Sequence, residues 1–145
     1  MRFFSQRHVT TPPKATGDLL ANAVSSIDLL QRAWKMVRSA GGGAGIDKQT
    51  IEDFKSQSDK LLTAIAGRIA QGRYGFQRLR SAAIPKSNGE KRMLGIPTIQ
   101  DRIVLQGIRL ILEIDCEKKM HPSCHAYRPG RGAETAMEAM ADAMG

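Results

Sequence analysis

The sequence predicts an α+β fold, helices packed with one antiparallel β-hairpin, on three observations. Apolar residues recur at helical spacing in stretches that begin near Ser26, Ser58 and Thr98. Asn88-Gly89 lies between two short apolar runs, a strong hairpin signal because both residues tolerate positive φ. The 145 residues suit one domain, or a large piece of one, and such a chain buries roughly two-thirds of its unfolded surface.

Residues 1–24 lack sustained periodicity and contain Pro12-Pro13, so a flexible N-terminal arm is expected there, with the folded domain over 25–145. Ser26 is a suitable N-cap, and Asp28 in the first turn complements the helix dipole. Leu29, Leu30, Ala33, Trp34 and Val37 form the apolar side of that helix, which Gly41-Gly42-Gly43 ends. A second helix runs from Ser58 to Gln71 with Leu61, Leu62, Ile65 and Ile69 inward and Gly72 as its C-terminal stop. Tyr74 to Ile84 reads as extended and leads into the hairpin. Thr98 caps a third helix whose apolar side holds Ile99, Ile103, Val104, Ile108, Ile111 and Leu112. Arg102, Gln106, Arg109 and Glu113 fall on its opposite stripe. After Pro129-Gly130 a last helix carries Met137, Met140 and Met144, a stripe that calls for a core expected to be largely absent from these residues.

Charge narrows the function. Lysine and arginine number 22 against 14 acidic residues, a net +8, with pI near 9.9. An excess of this size does not help folding and points to a polyanionic partner, nucleic acid first, because Lys and Arg contacts to phosphate release counterions. No apolar run approaches a membrane span, so no membrane partner is expected. The N-terminus has no secretory pattern, and two cysteines without a framework suit free thiols, so a cytoplasmic protein is expected. Cys116, His121, Cys124 and His125 lack the ligand spacings of structural zinc and read as ordinary loop residues. The loop Gly-Gly-Gly-Ala-Gly-Ile-Asp lacks a following Lys-Ser/Thr, so a nucleotide P-loop is not expected. Either a plain turn or close approach to a template backbone accounts for its glycines.

The hairpin carries the sharpest chemistry. A two-residue loop at Asn88-Gly89 pairs Lys86 with Lys91, a like-charge repulsion. A three-residue loop, Ser87-Asn88-Gly89, places Gly89 in the left-handed position of a bulge and pairs Lys86 with Glu90. That register sets Arg92 on the face of Lys86, and a point cation beside a planar guanidinium suits a phosphate group. Residues 68–92 hold Arg68, Arg73, Arg78, Arg80, Lys86, Lys91 and Arg92 against Glu90 alone. Tyr74 and Phe76 alternate with Arg73 and Arg78, a pattern open both to packing and to base stacking beside phosphates.

The segment IPKSNGEKRMLGIPTIQDRIVLQ resembles the fingers motif of bacterial group II intron-type reverse transcriptases. LLQRAWKMVRSAGGGAGID, GRYGF and HPSCHAYRPGRGAETAMEAM resemble further blocks of that family in the same order, over residues 26–144. The resemblance implies the fingers, and the start of the palm, of a right-hand polymerase that copies RNA into DNA. It implies that Lys86 and Arg92 grip the triphosphate of the incoming dNTP. It also implies that Arg73, Arg78, Arg80, Lys91, Gly95, Pro97, Arg102, Tyr127, Arg128 and Arg131 lie along the RNA template or template-primer. The loop from Gly41 to Asp47 then faces the template. Lys48 stands where the family often has Gly, and His125-Ala126-Tyr127 stands for its Tyr-Gly-Phe.

In the complete polymerase, three palm aspartates, two of them adjacent, hold two Mg²⁺ ions that activate the primer hydroxyl and stabilise pyrophosphate. No Asp-Asp pair occurs in this sequence, and the first family aspartate falls beyond the last helix. No cofactor is therefore expected in this chain, which should bind RNA template with DNA primer, or intron RNA, without polymerising alone. A separate palm-containing chain is a possible partner. The other expectation is a non-catalytic, maturase-like RNA-binding module or a gene remnant.

Overall fold

The computed structural model describes residues 14–87 and 89–144. Its elements run α1 (Lys14–Val24), α2 (Ile27–Ala40), α3 (Ile51–Ser56), α4 (Ser58–Ala70), β1 (Arg80–Pro85), β2 (Lys91–Ile96), α5 (Ile99–Lys119) and α6 (Ala133–Met144). The fold is α+β, with β1 and β2 forming a two-stranded antiparallel sheet. The chain divides into two units, Met1–Ile108 and Arg109–Gly145, and the boundary falls within α5.

In the first unit, burial follows the helical period. Leu30, Ala33, Trp34 and Val37 of α2 and Leu62, Ile65, Ala66 and Ile69 of α4 are buried, with Ile99, Ile103 and Val104 of α5. Phe54 of α3 is fully buried and meets Trp34 with ring centroids 4.6 Å apart, tilted by 48°. Such a pair contributes about 0.5–1.5 kcal/mol beyond its area burial. Helix α4 ends at Gly72, whose φ of 65° is left-handed. The Gly72 N–H donates to Ile69 O and the Arg73 N–H to Arg68 O, satisfying two terminal carbonyls in a Schellman arrangement.

Two helices differ from the sequence reading. Residues 14–24, assigned from sequence to an arm, form α1; residues 1–13 of that expectation lie outside the described residues. Gly17 and three alanines leave α1 little periodic signal, and it is held by packing on α2 and α4 with Val24 buried. Helix α3 is only six residues long, too short for periodicity to show. Its signature is a capping box: Thr50 Oγ1 accepts from the Asp53 N–H at 3.1 Å, and the Thr50 N–H donates to Asp53 Oδ2 at 2.9 Å. The Thr50 hydroxyl and N–H together hold the Asp53 carboxyl below its ordinary pKa. Thr-x-x-Asp ahead of Phe54 was the legible signal.

Between α2 and α3 the Gly-rich loop turns back, and Lys48 takes a φ of 58°. Only glycine adopts that region without a Cβ penalty. Lys48→Gly is expected to change stability by about +0.5 to +1 kcal/mol, a small rise in the urea midpoint with unchanged m-value.

The hairpin adopts the three-residue loop register. Pairs run Arg80↔Ile96, Ser81↔Gly95, Ala82↔Leu94, Ala83↔Met93, Ile84↔Arg92 and Pro85↔Lys91. The Lys86 N–H donates to Glu90 O at 2.7 Å, the Gly89 N–H to Lys86 O at 3.1 Å, and Gly89 has a φ of 84°. Both faces of the sheet are largely exposed. Ile84, Met93 and Leu94 contribute apolar area to solvent.

In the second unit, α6 buries no residue, and Met137, Met140 and Met144 stand exposed. Among the described residues no helix is long and apolar enough to cross a membrane.

Candidate nucleic-acid interface

The hairpin register sorts the cations by face, because paired residues point to the same side. Arg80, Lys86 and Arg92 share one face with Ile84 and Leu94, while Lys91 and Gly95 share the other with Met93. Lys86 Nζ lies 2.8 Å from Glu90 Oε2. Both side chains are exposed, so the pair contributes little to stability and is easily exchanged for another anion. The side chains of Arg92 and Lys91 make no hydrogen bond or ion pair among the described residues, and both are exposed.

At the base of the hairpin, two arginines are committed to main chain. Arg102 Nε donates to Pro97 O at 3.2 Å, Nη1 to Gly41 O at 3.4 Å and Nη2 to Gly43 O. Arg80 Nε donates to Ala44 O at 2.9 Å. Together they clasp the Gly-rich loop against the start of α5. Gly45 completes the seat: an added Cβ there would lie 2.6 Å from Thr98 Cα and 2.8 Å from Thr98 N. Gly45 thus serves close backbone packing within the chain.

Asp101 holds the strand leading into the hairpin. It sits in the first turn of α5 with its side chain buried, and its N–H donates to Thr98 Oγ1 at 3.2 Å, which makes Thr98 the expected cap. The Asp101 carboxylate accepts from the Tyr74 hydroxyl at 2.8 Å and from the Gln77 N–H at 3.1 Å. Arg68 lies over the Tyr74 ring, 5.4 Å from its centroid, and donates to Gln100 Oε1 at 2.6 Å. These groups line a polar cavity of about 220 Å³. Arg73 and Arg78, on the segment between α4 and β1, are exposed, and their side chains make no hydrogen bond or ion pair among the described residues.

In the second unit, Arg128 is an internal clamp. Its side chain is 6% exposed; Nε and Nη2 donate to the Glu117 carboxylate, and Nη1 to His121 O and Cys124 O. The Arg128 hydrogen bonds hold Glu117 below its ordinary pKa, and Glu117 raises Arg128 in return. Arg131 donates to Pro122 O. Tyr127 is fully exposed with a φ of 58°. The Glu117 to Arg128 pairing spans eleven residues and had no sequence signal. Among the described residues no three His, Cys, Asp or Glu side chains come together to hold a metal ion.

Fold and charge define a basic α+β protein in which Arg73, Arg78, Lys91 and Arg92, on and ahead of the hairpin, have side chains without a partner among the described residues. No protein-family model matches the chain. It is 32% identical over 114 residues to the group II intron-encoded protein LtrA of Lactococcus lactis subsp. cremoris, covering 77% of this chain and 18% of that protein. It is 26% identical over 118 residues to the COX1/OXI3 intron 1 protein of Saccharomyces cerevisiae, 81% of this chain and 14% of that protein. Protein YkfC of Escherichia coli is 27% identical over 129 residues, 88% of this chain and 34% of its own length. The chain thus spans about a third or less of these relatives. It is homologous to one portion of intron-encoded proteins, the group II intron-encoded protein among them.

Proposed function

We propose that this chain is the fingers portion of a group II intron-type reverse transcriptase, which binds RNA template-primer through its basic surface and the dNTP triphosphate through Lys86 and Arg92. The observation that carries the reading is the hairpin register: it puts Arg92 and Lys86 on one face, with only an exposed Glu90 pairing beside them. A triphosphate displaces Glu90 from Lys86 and takes the guanidinium of Arg92 along its oxygens, exchanging a weak surface pair for charge-assisted bonds. Arg73, Arg78 and Lys91 then meet the sugar-phosphate backbone of the RNA, single-stranded or paired, a contact independent of sequence. The carboxylates that hold magnesium come from a palm outside these residues.

Equilibrium titration tests this. Affinity for an RNA–DNA template-primer is expected to fall steeply with salt, as several phosphate contacts require. Arg92→Ala is expected to weaken dNTP affinity about tenfold or more, the scale of one charge-assisted contact, while template-primer affinity changes less than about threefold. Equal losses in both contradict the triphosphate role, and a salt-independent affinity contradicts phosphate recognition.

A further inference from the structure

A second feature of the first unit lies apart from the hairpin tip. Leu20 and Val24 of α1, Ile69 of α4, and Val104 and Ile108 of α5 line an open apolar groove of about 260 Å³, with Phe76 at its edge. Tyr74 lines it too, its ring edge-on to Phe76 at 5.4 Å and 81°. Tyr74 is fixed by Asp101, whereas Phe76 is 55% exposed and leaves aromatic surface uncovered. Among the described residues, no acidic one lines the groove. Arg68 lies over Tyr74, and in sequence Arg73 is next to Tyr74 and Arg78 is two residues beyond Phe76.

We propose that this groove receives one unpaired nucleobase of a bound RNA strand, stacked on Phe76, with Arg73 and Arg78 on the neighbouring phosphates. The inference rests on the RNA-binding reading above and adds a single-strand site to it. Size and chemistry select this occupant. The groove is smaller than the ~300–1,000 Å³ of drug-sized pockets, which suits a single planar ring. A nucleobase matches an open aromatic face, and its linkage to phosphates on both sides matches cations that the protein leaves unpaired. A purely apolar protein segment satisfies the groove but not the arginines. Tyr74 is the rigid wall and Phe76 the stacking surface, because the Asp101 bond holds only the former.

Anisotropy titration of the 145-residue protein with a labelled single-stranded oligoribonucleotide, and with a double-stranded RNA of equal length, tests the assignment. Phe76→Leu keeps apolar bulk and removes the aromatic face. It is expected to weaken single-strand binding about tenfold, within the range known for one stacked base, with duplex affinity and salt slope unchanged. Arg73→Gln with Arg78→Gln is expected to lower the single-strand salt slope by about 1.4, about 0.7 per phosphate contact. In Phe76→Trp, the introduced indole is expected to be quenched by the single strand and not by the duplex, while the thermal midpoint stays at the wild-type value. Single-strand affinity unaltered by Phe76→Leu, with wild-type RNA binding intact, overturns the stacking site and leaves the RNA-binding reading standing. A concentration-dependent dimer that Phe76→Leu dissolves, with RNA affinity unchanged, makes a second copy the occupant and also overturns it. Failure of the wild-type protein to bind either RNA overturns both.

Discussion

Asp101→Ala is expected to destabilise the protein by about 3 kcal/mol, on the order of 10 °C in Tm for a chain of this length. The Asp101 carboxylate is 2% exposed and accepts from both the Tyr74 hydroxyl and the Gln77 N–H. Alanine leaves two donors facing a cavity at the point where the chain enters the hairpin, and each lost bond to a charged acceptor costs about 1.5–3 kcal/mol. Asp101→Asn retains shape and one acceptor oxygen, so a smaller loss is expected. Thermal unfolding followed by circular dichroism reads both; equal stability of wild type and Asp101→Ala would remove Asp101 from the role of anchor.

The same contact sets a pH dependence. Burial first, then the hydrogen bond to Asp101 and its charge, raise the Tyr74 phenol above its ordinary 10.0, with Arg68 opposing. Below pH 10 both folded and unfolded chains keep the proton, and the contribution is fully present. Above it the unfolded chain ionises first, so stability falls as pH rises toward the folded value. This alkaline slope is expected to be shallower in Tyr74→Phe, which has no proton to lose.

Gly45→Ala is expected to cost about 2–3 kcal/mol, or about 6–12 °C in Tm. The new methyl meets Thr98 Cα at 2.6 Å, Thr98 N at 2.8 Å and Pro97 O at 3.0 Å, all main chain at the start of α5. None of these atoms can rotate away, so either the loop lifts from Arg80 and Arg102 or α5 shifts at its cap. Gly43 offers a contrast. A Cβ there meets only the Arg80 guanidinium end, at 3.2 Å, which swings aside, and Gly43→Ala should cost far less. A reversed ranking in urea denaturation would contradict the packing account of the loop.

Local chemistry made much of the fold legible. Leu30, Ala33, Trp34 and Val37 announced α2 because a 3.6-residue period is a property of the chain alone, and Gly72 announced the end of α4 because a left-handed residue needs no distant partner. The hairpin register was readable because Lys86 opposite Lys91 is repulsive and Lys86 opposite Glu90 is not. The two readings that failed to appear, α1 and α3, depend on partners. Helix α1 has weak periodicity and is held by α2 and α4, and α3 is one capping box beneath the buried ring of Phe54.

For the candidate site the division is sharper. By itself the sequence determined that seven cations crowd residues 68–92 and that Lys86 and Arg92 share a face, since strand alternation fixes sidedness once the turn is known. Only the tertiary structure decided which cations remain available. Arg80, Arg102, Arg128 and Arg131 resemble Arg73, Arg78 and Arg92 in type, yet the first four donate to carbonyls or to Glu117 within the chain. A guanidinium's partners are set by acceptors that folding brings from far along the chain, as Gly41 O reaches Arg102 across sixty-one residues, and no local pattern encodes that distance.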